Sequence, residues 1–575
     1  MRGFAFALLL AAWGAGVGCG SCGKGSDASL VEASAAVVLP EPPVPAPERL
    51  IGEAALTSPD AFWKRVQTGI GGAAAILPNS FAGVACALAG LDPSVAREVD
   101  GGAAAFAVMA EGDGGALSFA LAMKLTDARR TQTLLIDAET AAFTAKETNG
   151  IRVLASKVLP LALAVGVARA GWLLVASSDA DLARLAPYAY RTLPHSPSAA
   201  AGTAQMTIDV PRAALGGTLR ARGAAAWGGA KGWLLQRDAD ERAKHGGRAP
   251  DFGDAPAIVA CVDTLVERRL ALVGDLDGVR VEIDASDDDV HAVATLKPSD
   301  GGGPASQRFE AMRPGAAAPL LDAPLDATIA WVVRDDAAER TSDAREIEQC
   351  VERALGKRLG DDDVKRLRAF ADDWSKSRGD WLLASAMWGT WRGLAARGPS
   401  SDAVLSAKVL RDAAGLLQRS AFAEPLKRSL HVRDIAFGTS DAPPLGKVDV
   451  ATLVRDEPQP DKAHPKVPSP APLGMAWLAR GGEVEIAIGE SPAALLAATA
   501  KPKAKLGDDA RIARAIGAFE TNVTFAFVAQ PAARTADRAG PPVVAAWGRR
   551  GHDGWLRVEL GYGAARELIR SFVGP

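Results

Sequence analysis

The feature that most constrains this chain is a local phrase that occurs twice. Ala164 to Ala168 is apolar and short, Arg169-Ala170-Gly171 is a turn, and Trp172 to Ser177 is apolar again. Asp179 then opens a helix that runs to about Tyr188. Further on, Met475 to Ala479, the turn Arg480-Gly481-Gly482 and Val484 to Ile488 repeat the order, with a helix after Glu490. Glycine supplies the positive φ that a tight hairpin needs. An acid at a helix start accepts free backbone N–H groups and faces the positive end of the helix dipole. These residues therefore have structural jobs, and tight hairpins alternating with helices predict an α+β protein with antiparallel sheets.

The same periods extend along the chain. In the first half, strands are expected at Ala103–Ala110, Leu117–Leu125 and Met206–Val210, and a closing hairpin at Val279–Ile283 and His291–Leu296 around the acidic turn Asp284 to Asp289. Helices are expected after Asp127, from Pro211 and over Ala255–Arg268. The second half reads alike. Strands are expected at Thr328–Val333, Trp381–Met387, Val404–Val409, Val523–Val528, Val543–Trp547 and Trp555–Leu560. Helices are expected at about Asp343–Leu359, Asp362–Lys376, from Asp412 and over Ala564–Phe572. Leu121-Ala122-Met123-Lys124-Leu125 also resembles Leu405-Ser406-Ala407-Lys408-Val409. The reading is two similar halves, 50–297 and 324–575, each an antiparallel sheet with helices packed against it. The breaker cluster Pro298 to Pro304 marks a linker over 298–323, and Asp456 to Pro472 is expected to be a long surface loop.

Ala170-Gly171-Trp172-Leu173-Leu174-Val175-Ala176-Ser177-Ser178-Asp179, and less closely Gly481 to Glu490, resemble the repeat of a family of secreted bacterial proteins with a domain of unknown function. The likeness covers most of residues 50–575. It implies a secreted protein, and the family has no assigned reaction to carry over.

The N-terminus supports export. Arg2 gives a short positive region, and Phe4 to Val17 is an apolar run too short to span a bilayer comfortably. It ends at Gly16-Val17-Gly18-Cys19, which resembles a bacterial lipobox, with Gly16 where an aliphatic residue is usual. The resemblance implies a signal peptide over 1–18 and acylation of Cys19; a cleaved soluble product is the alternative. Residues 19–49 then form a linker, with Pro40, Pro42, Pro43, Pro45 and Pro47 in eight residues. Such a run favours polyproline II, a semi-rigid spacer. Each buried CH₂ of an acyl chain contributes about 0.8 kcal/mol, so the expected partner of the N-terminus is a membrane. Gly20 after the acylated Cys resembles the pattern that permits transfer to an outer membrane, so the expected location is the cell envelope, with the protein an outer-membrane lipoprotein facing the periplasm or surface.

Little in the chain points to chemistry. Sixty-five basic against 68 acidic residues leave a charge of −3, with no field to draw nucleic acid. After Cys19 there is no serine-hydrolase, zinc-protease, P-loop or kinase motif. Gly18 to Gly23 fits G-x-G-x-x-G and Cys19 to Cys22 fits C-x-x-C, but neither follows a strand. None of the six histidines, among them His291 and His464, has a second ligand at zinc spacing. Asp287-Asp288-Asp289 and Asp361-Asp362-Asp363 lack the spaced oxygens of a calcium loop and read as a turn and a helix start. Ser177-Ser178-Asp179 reads as a strand end and cap. Cys86, Cys261 and Cys350 read as three buried thiols, with one disulfide as the alternative. Trp374, Trp381, Trp388 and Trp391 crowd one stretch and read first as core, second as an aromatic surface for a glycan, peptide or lipid. No catalytic residue, cofactor or metal is expected. The expected role is binding or structural, with an unknown envelope protein, glycan or lipid as partner. The alternatives are a carrier or sensor of an apolar ligand such as a lipid, and a hydrolase whose site assembles only in the fold.

Overall fold

The structure is a computed structural model that describes residues 41–566 apart from 138–142, 158–160, 197–203, 245, 247–253, 390–391, 456–471, 520 and 531–541. It is an α+β protein with antiparallel strand pairing. Two compact units are distinguished: one holds the chain up to Leu219, Gly278–Ala294 and the end from Gly561, and the other holds Arg220–Asp277 and Thr295–Leu560.

In the first unit the strands are β1 (Leu50–Leu56), β2 (Ala105–Glu111), β3 (Leu117–Lys124), β4 (Phe143–Thr148), β5 (Ile151–Ser156), β6 (Ala164–Ala168), β7 (Trp172–Ala176) and β8 (Met206–Pro211), followed by the Gly278–Ala294 part of the hairpin β9 (Leu276–Ala285) and β10 (Asp289–Pro298). Hydrogen bonding sets the order β4-β5-β6-β7-β3-β2-β1-β8-β9-β10. The helices are α1 (Pro59–Ile70), α2 (Phe81–Ala89), α3 (Pro93–Ala96), α4 (Ala128–Gln132) and α5 (Asp179–Pro187).

Successive strand residues point to opposite faces, and β7 uses both. Trp172, Leu174 and Ala176 enter a core with Leu182, Leu185 and Ala186 of α5. Leu173 and Val175 enter another core with Ala82, Ala85, Cys86 and Ala89 of α2. Every residue of β6 and β7 is buried, so these strands read as continuous apolar runs. The cap at this helix differs by one residue from expectation. Ser178 is the N-cap, its hydroxyl accepting from the Asp181 N–H, and Asp179 is the first helical residue.

In the second unit the strands are β11 (Ile329–Arg334), β12 (Trp381–Trp388), β13 (Arg392–Pro399), β14 (Val432–Ala442), β15 (Gly446–Arg455), β16 (Leu473–Arg480), β17 (Glu483–Glu490), β18 (Val523–Ala529), β19 (Val543–Arg550) and β20 (Asp553–Gly561). Their order is β14-β15-β16-β17-β13-β12-β11-β18-β19-β20. The helices are α6 (Arg220–Lys244), α7 (Ala255–Gly274), α8 (Pro304–Ala311), α9 (Ala337–Leu355), α10 (Asp361–Ser377), α11 (Ala403–Leu416), α12 (Ser420–Leu430), α13 (Pro492–Ala500) and α14 (Ala510–Gly517). Leu383, Met387, Ala395 and Ala487 meet Leu495 and Leu496 of α13 and Ile512 and Ile516 of α14. Trp477 and Val484 meet Leu410 and Ala414 of α11.

Several expectations differ from the structure. Val404–Val409 is not a strand: Asp402 caps α11 at the Leu405 N–H, and the hairpin partner of Trp381–Trp388 is Arg392–Pro399. Leu405 to Val409 is therefore helical where Leu121–Lys124 lies in β3, so the likeness of those two segments is accidental. Asp412 lies inside α11 and does not start a helix. Residues 298–323, expected as a linker, include a folded helix. They carry α8, whose Phe309 is fully buried and stands edge-on to Trp547 at 6.2 Å between ring centroids. The helix expected from Pro211 begins just after β8, which ends at that proline.

Gly489 faces Gly393 across β17 and β13. Its φ is 150°, and a Cβ there would lie 2.3 Å from the Arg392 carbonyl oxygen and 2.6 Å from the Gly393 Cα. Gly489→Ala is expected to shift the denaturant midpoint down by the equivalent of at least about 2 kcal/mol, since backbone strain and a backbone clash act together. An unchanged midpoint would contradict this account of the β13–β17 pairing.

Candidate functional site

Cys19, the expected acylation site, lies outside the described residues, but the end of the expected 19–49 linker does not. Glu41 forms an ion pair with Arg191 and accepts from the Tyr190 hydroxyl at 3.0 Å. The Val44 N–H donates to the Thr192 hydroxyl oxygen, and that hydroxyl donates to the Val44 carbonyl. The Val44 side chain packs against the core that holds Tyr188 and Tyr190. The end of the spacer expected over 19–49 is thus held against the first unit by Glu41 and Val44.

The same segment holds two of the chain's three tyrosines. Burial raises the Tyr190 hydroxyl to about 12, with Glu41 adding and Arg191 opposing. Burial raises Tyr562 to about 12 as well, with the Asp289 charge adding. Burial and its 2.7 Å hydrogen bond to Glu53 push Tyr188 higher still. A raised folded pKa means the folded state holds the proton more tightly. The stabilisation is complete below the usual tyrosine value of about 10 and is lost as pH rises past 12. A phenolate absorbance titration is expected to show no native ionisation near pH 10, and ionisation only together with unfolding. A native transition near pH 10 would contradict the burial.

The cysteines correct another expectation. Cys261 on α7 and Cys350 on α9 form a disulfide closing 89 residues of chain, and only Cys86 is a free, buried thiol among the described residues. Burial pushes the Cys86 thiol up to about 12, which leaves it unreactive. The reading of three buried thiols failed because pairing depends on how α7 and α9 meet. They run antiparallel: the Asp254 N–H at the start of α7 reaches the Ala354 carbonyl near the end of α9. Further along, Arg268 makes a two-pronged ion pair with Glu346 at 2.9 and 3.1 Å. Beside the disulfide lies a cleft of about 460 Å³ bounded by Thr264, Arg268, Arg345, Glu346, Gln349 and Arg353. Arg268 is held by Glu346, and Arg345 by Asp372, so the cleft is polar and largely neutralised.

The other sequence candidates have structural roles. The Ser177 and Ser178 hydroxyls each donate to Asp181 at 2.8 Å. Burial raises that carboxyl, but hydrogen bonds from Ser178, Ser177, Ser118 and Arg184 outweigh it and hold it below the usual range. No histidine takes part in these contacts. Asp289 closes its turn onto Ser286. Asp361, Asp362 and Asp363 occupy the first turn of α10, where Arg366 and Arg419 neutralise Asp362 and Arg419 pairs with the buried Asp363. His291 sits 3.4 Å from Asp284. His464 lies outside the described residues. No group of three metal-ligating side chains, and no helix long and apolar enough to cross a membrane, occurs among the described residues.

The tryptophans divide. Trp374 and Trp381 pack against cores, Trp388 is 71% exposed at the end of β12, and Trp391 lies outside the described residues. Register adds a surface that no motif signalled. Ile329, Ala386, Leu394 and Ile488 stand directly opposite one another across β11, β12, β13 and β17. Directly opposite residues share a face, and Ile329, Leu394 and Ile488 are all exposed. Trp388, two residues from Ala386, borders this row.

No family model matches the chain, and no curated protein matches it. Among solved structures the chain is similar to one titled "Structure of crystal form III of TP0453", at 9% identity over 46% of this chain and 98% of that chain, with a TM-score of 0.21. A likeness of that size carries no argument here.

Cutting the disulfide tests the helical layer. In the chain-entropy account a loop of this length stabilises by about 4–5 kcal/mol. Cys261→Ser is expected to lower the unfolding midpoint of the second unit by a large part of that, and reduction of the wild type to do the same. A variant as stable as wild type would remove the disulfide from the account.

Proposed function

We propose that this is an exported cell-envelope protein, acylated at Cys19 and held to a membrane, whose role is binding or structural and not catalytic. The observation that carries the reading is the Cys261–Cys350 disulfide. Disulfides persist in oxidising compartments, and the leader over 1–18, with its lipobox-like end, supplies the route to one. The clipped tether from Glu41 supports it, since a spacer that ends on the folded body holds that body near the membrane. The partner surface best supported is the exposed row Ile329, Leu394 and Ile488 bordered by Trp388. Its aliphatic side chains offer no hydrogen bonds, so it fits an apolar face of an envelope protein better than a glycan. The half-open gap lined by Leu383, Ala395 and Leu496 holds only about 20 Å³, room for a water and not for a lipid.

The finer architecture belongs to the same proposal: two similar halves made by duplication. The order β4-β5-β6-β7-β3-β2-β1-β8-β9-β10 becomes the order β14-β15-β16-β17-β13-β12-β11-β18-β19-β20 when ten is added to each strand number. The two turns paired by sequence, Arg169 to Gly171 and Arg480 to Gly482, fall in the corresponding hairpins β6–β7 and β16–β17.

The test is the intact mass and membrane partition of the protein made in a bacterial host, beside Cys19→Ala. A mature N-terminus at Cys19 with added acyl mass, lost in the variant, is expected. A soluble product cut elsewhere and identical in both would overturn the tether.

A further inference from the structure

We propose that the Cys261–Cys350 disulfide is a thiol-exchange site. A dithiol opens it in the folded protein through Cys350, and opening releases α6 and α7 from α9. Formation of the bond rests on the proposed export, but its opening does not.

Access comes first. A disulfide is reduced when a thiolate reaches one of its sulfurs, so an enclosed bond resists exchange in the folded state and an open one does not. Here both half-cystines border the cleft of about 460 Å³ bounded by α7 and α9. Cys261 is buried, at 5% exposure, whereas Cys350 is only half-buried. Cys350 is therefore the sulfur that an incoming thiolate meets. Charge favours the same sulfur. Arg353 stands three residues on, on the same side of α9, and borders the same cleft. It makes no ion pair among the described residues. Glu346, one turn before Cys350, is taken by Arg268, and Arg345 is taken by Asp372 and Glu348. The unmatched guanidinium attracts the attacking thiolate and stabilises Cys350 as a thiolate when it leaves.

The exchange balances. A thiolate of the dithiol bonds to the Cys350 sulfur as the Cys261–Cys350 bond breaks, and Cys261 leaves as a thiolate that takes a proton from water. The second thiolate of the reductant then attacks the sulfur it shares a molecule with, and Cys350 leaves and is protonated in turn. Two electrons pass to the protein, and the dithiol becomes a disulfide.

Opening has a consequence because little else holds these helices. No residue of α6 is buried, α7 buries only Val259 and Cys261 itself, and α9 buries only Glu348. Besides the disulfide, α7 meets α9 through the Arg268–Glu346 pair and the Asp254 N–H on the Ala354 carbonyl. Exposed ion pairs hold weakly, and a segment with few buried apolar contacts opens at low free energy. The strands differ: β12 and β13 bury Leu383, Met387 and Ala395 in the core under α13 and α14. The reduced chain therefore loosens α6 and α7 and keeps its sheet.

The test uses the oxidised chain from residue 20 with Cys22→Ala, in buffer without denaturant. Excess dithiothreitol is added, new thiols are blocked with iodoacetamide and located by mass, and the reductant is removed. Trypsin cleavage within residues 220–274 and amide hydrogen exchange in β12 and β13 are then followed. Cys261 and Cys350 are expected to be labelled and the buried Cys86 not. Cleavage is expected to be at least about tenfold faster than in the oxidised chain, with protection in β12 and β13 retained. Cys261→Ser is expected to match the reduced chain without any reductant. Arg353→Gln is expected to slow reduction several-fold while leaving the melting curve of the oxidised chain unchanged. Labelling that appears only together with Cys86 labelling, or only with lost protection in β12 and β13, would overturn the proposal, since the bond would then open only on unfolding. Cleavage no faster after reduction would overturn the release of α6 and α7, and wild-type reduction of Arg353→Gln would overturn the part given to that cation. Cys19 is absent from every arm, so none of these outcomes depends on acylation or location.

Discussion

A central strand with both faces sealed from water forces the architecture around it. Leu173 and Leu174 are neighbours that point to opposite sides of β7, and both are fully buried. Neither side of the sheet can then stay bare: α5 covers one and α2 the other. Each of these helices follows from a local device, the Ser178 cap for α5 and the Ser80 cap at the Gly83 N–H for α2. The second unit meets the same demand with α13 and α14 on one face and α11 on the other. Where cover stops, the row from Ile329 to Ile488 is left exposed, and this makes it a recognition surface in the proposed reading.

The helical layer of the second unit depends on a different kind of bond. The apolar contribution of α6 is small, since none of its residues is buried. It is held to α7 by Asp263 and Asp254, and α7 is held to α9 by the disulfide and the Arg268–Glu346 pair. Polar and covalent fastening thus does in this layer what apolar burial does in the sheets.

Two of the strands that the residue pattern missed share a physical cause. β4 reads Phe-Thr-Ala-Lys-Glu-Thr and is mostly exposed, and β14 is mostly exposed too. Both stand at the end of their strand order, where charged and polar residues protect a bare edge from pairing with other chains. Edge strands therefore lack the apolar alternation that announces a strand. The error at Val404–Val409 has the opposite origin. A short apolar run with a β-branched residue at each end fits either a strand or a helix, and the Asp402 cap decided for the helix. The site was less legible than the fold, because the disulfide and the exposed row join residues far apart in the chain.

By itself the sequence determined the local grammar: hairpins where glycine permits positive φ, helices where an acid or serine caps free N–H groups, and an α+β protein built from them. It also carried the export-like leader and the lack of any compact catalytic motif. Tertiary structure alone decided which hairpin neighbours which, which cysteines meet, where the segment from Glu41 packs, and which apolar residues stay in water. The division follows from range. Turns and caps are set by residues a few positions apart, whereas strand order, disulfide pairing and surface exposure depend on segments that only folding brings together.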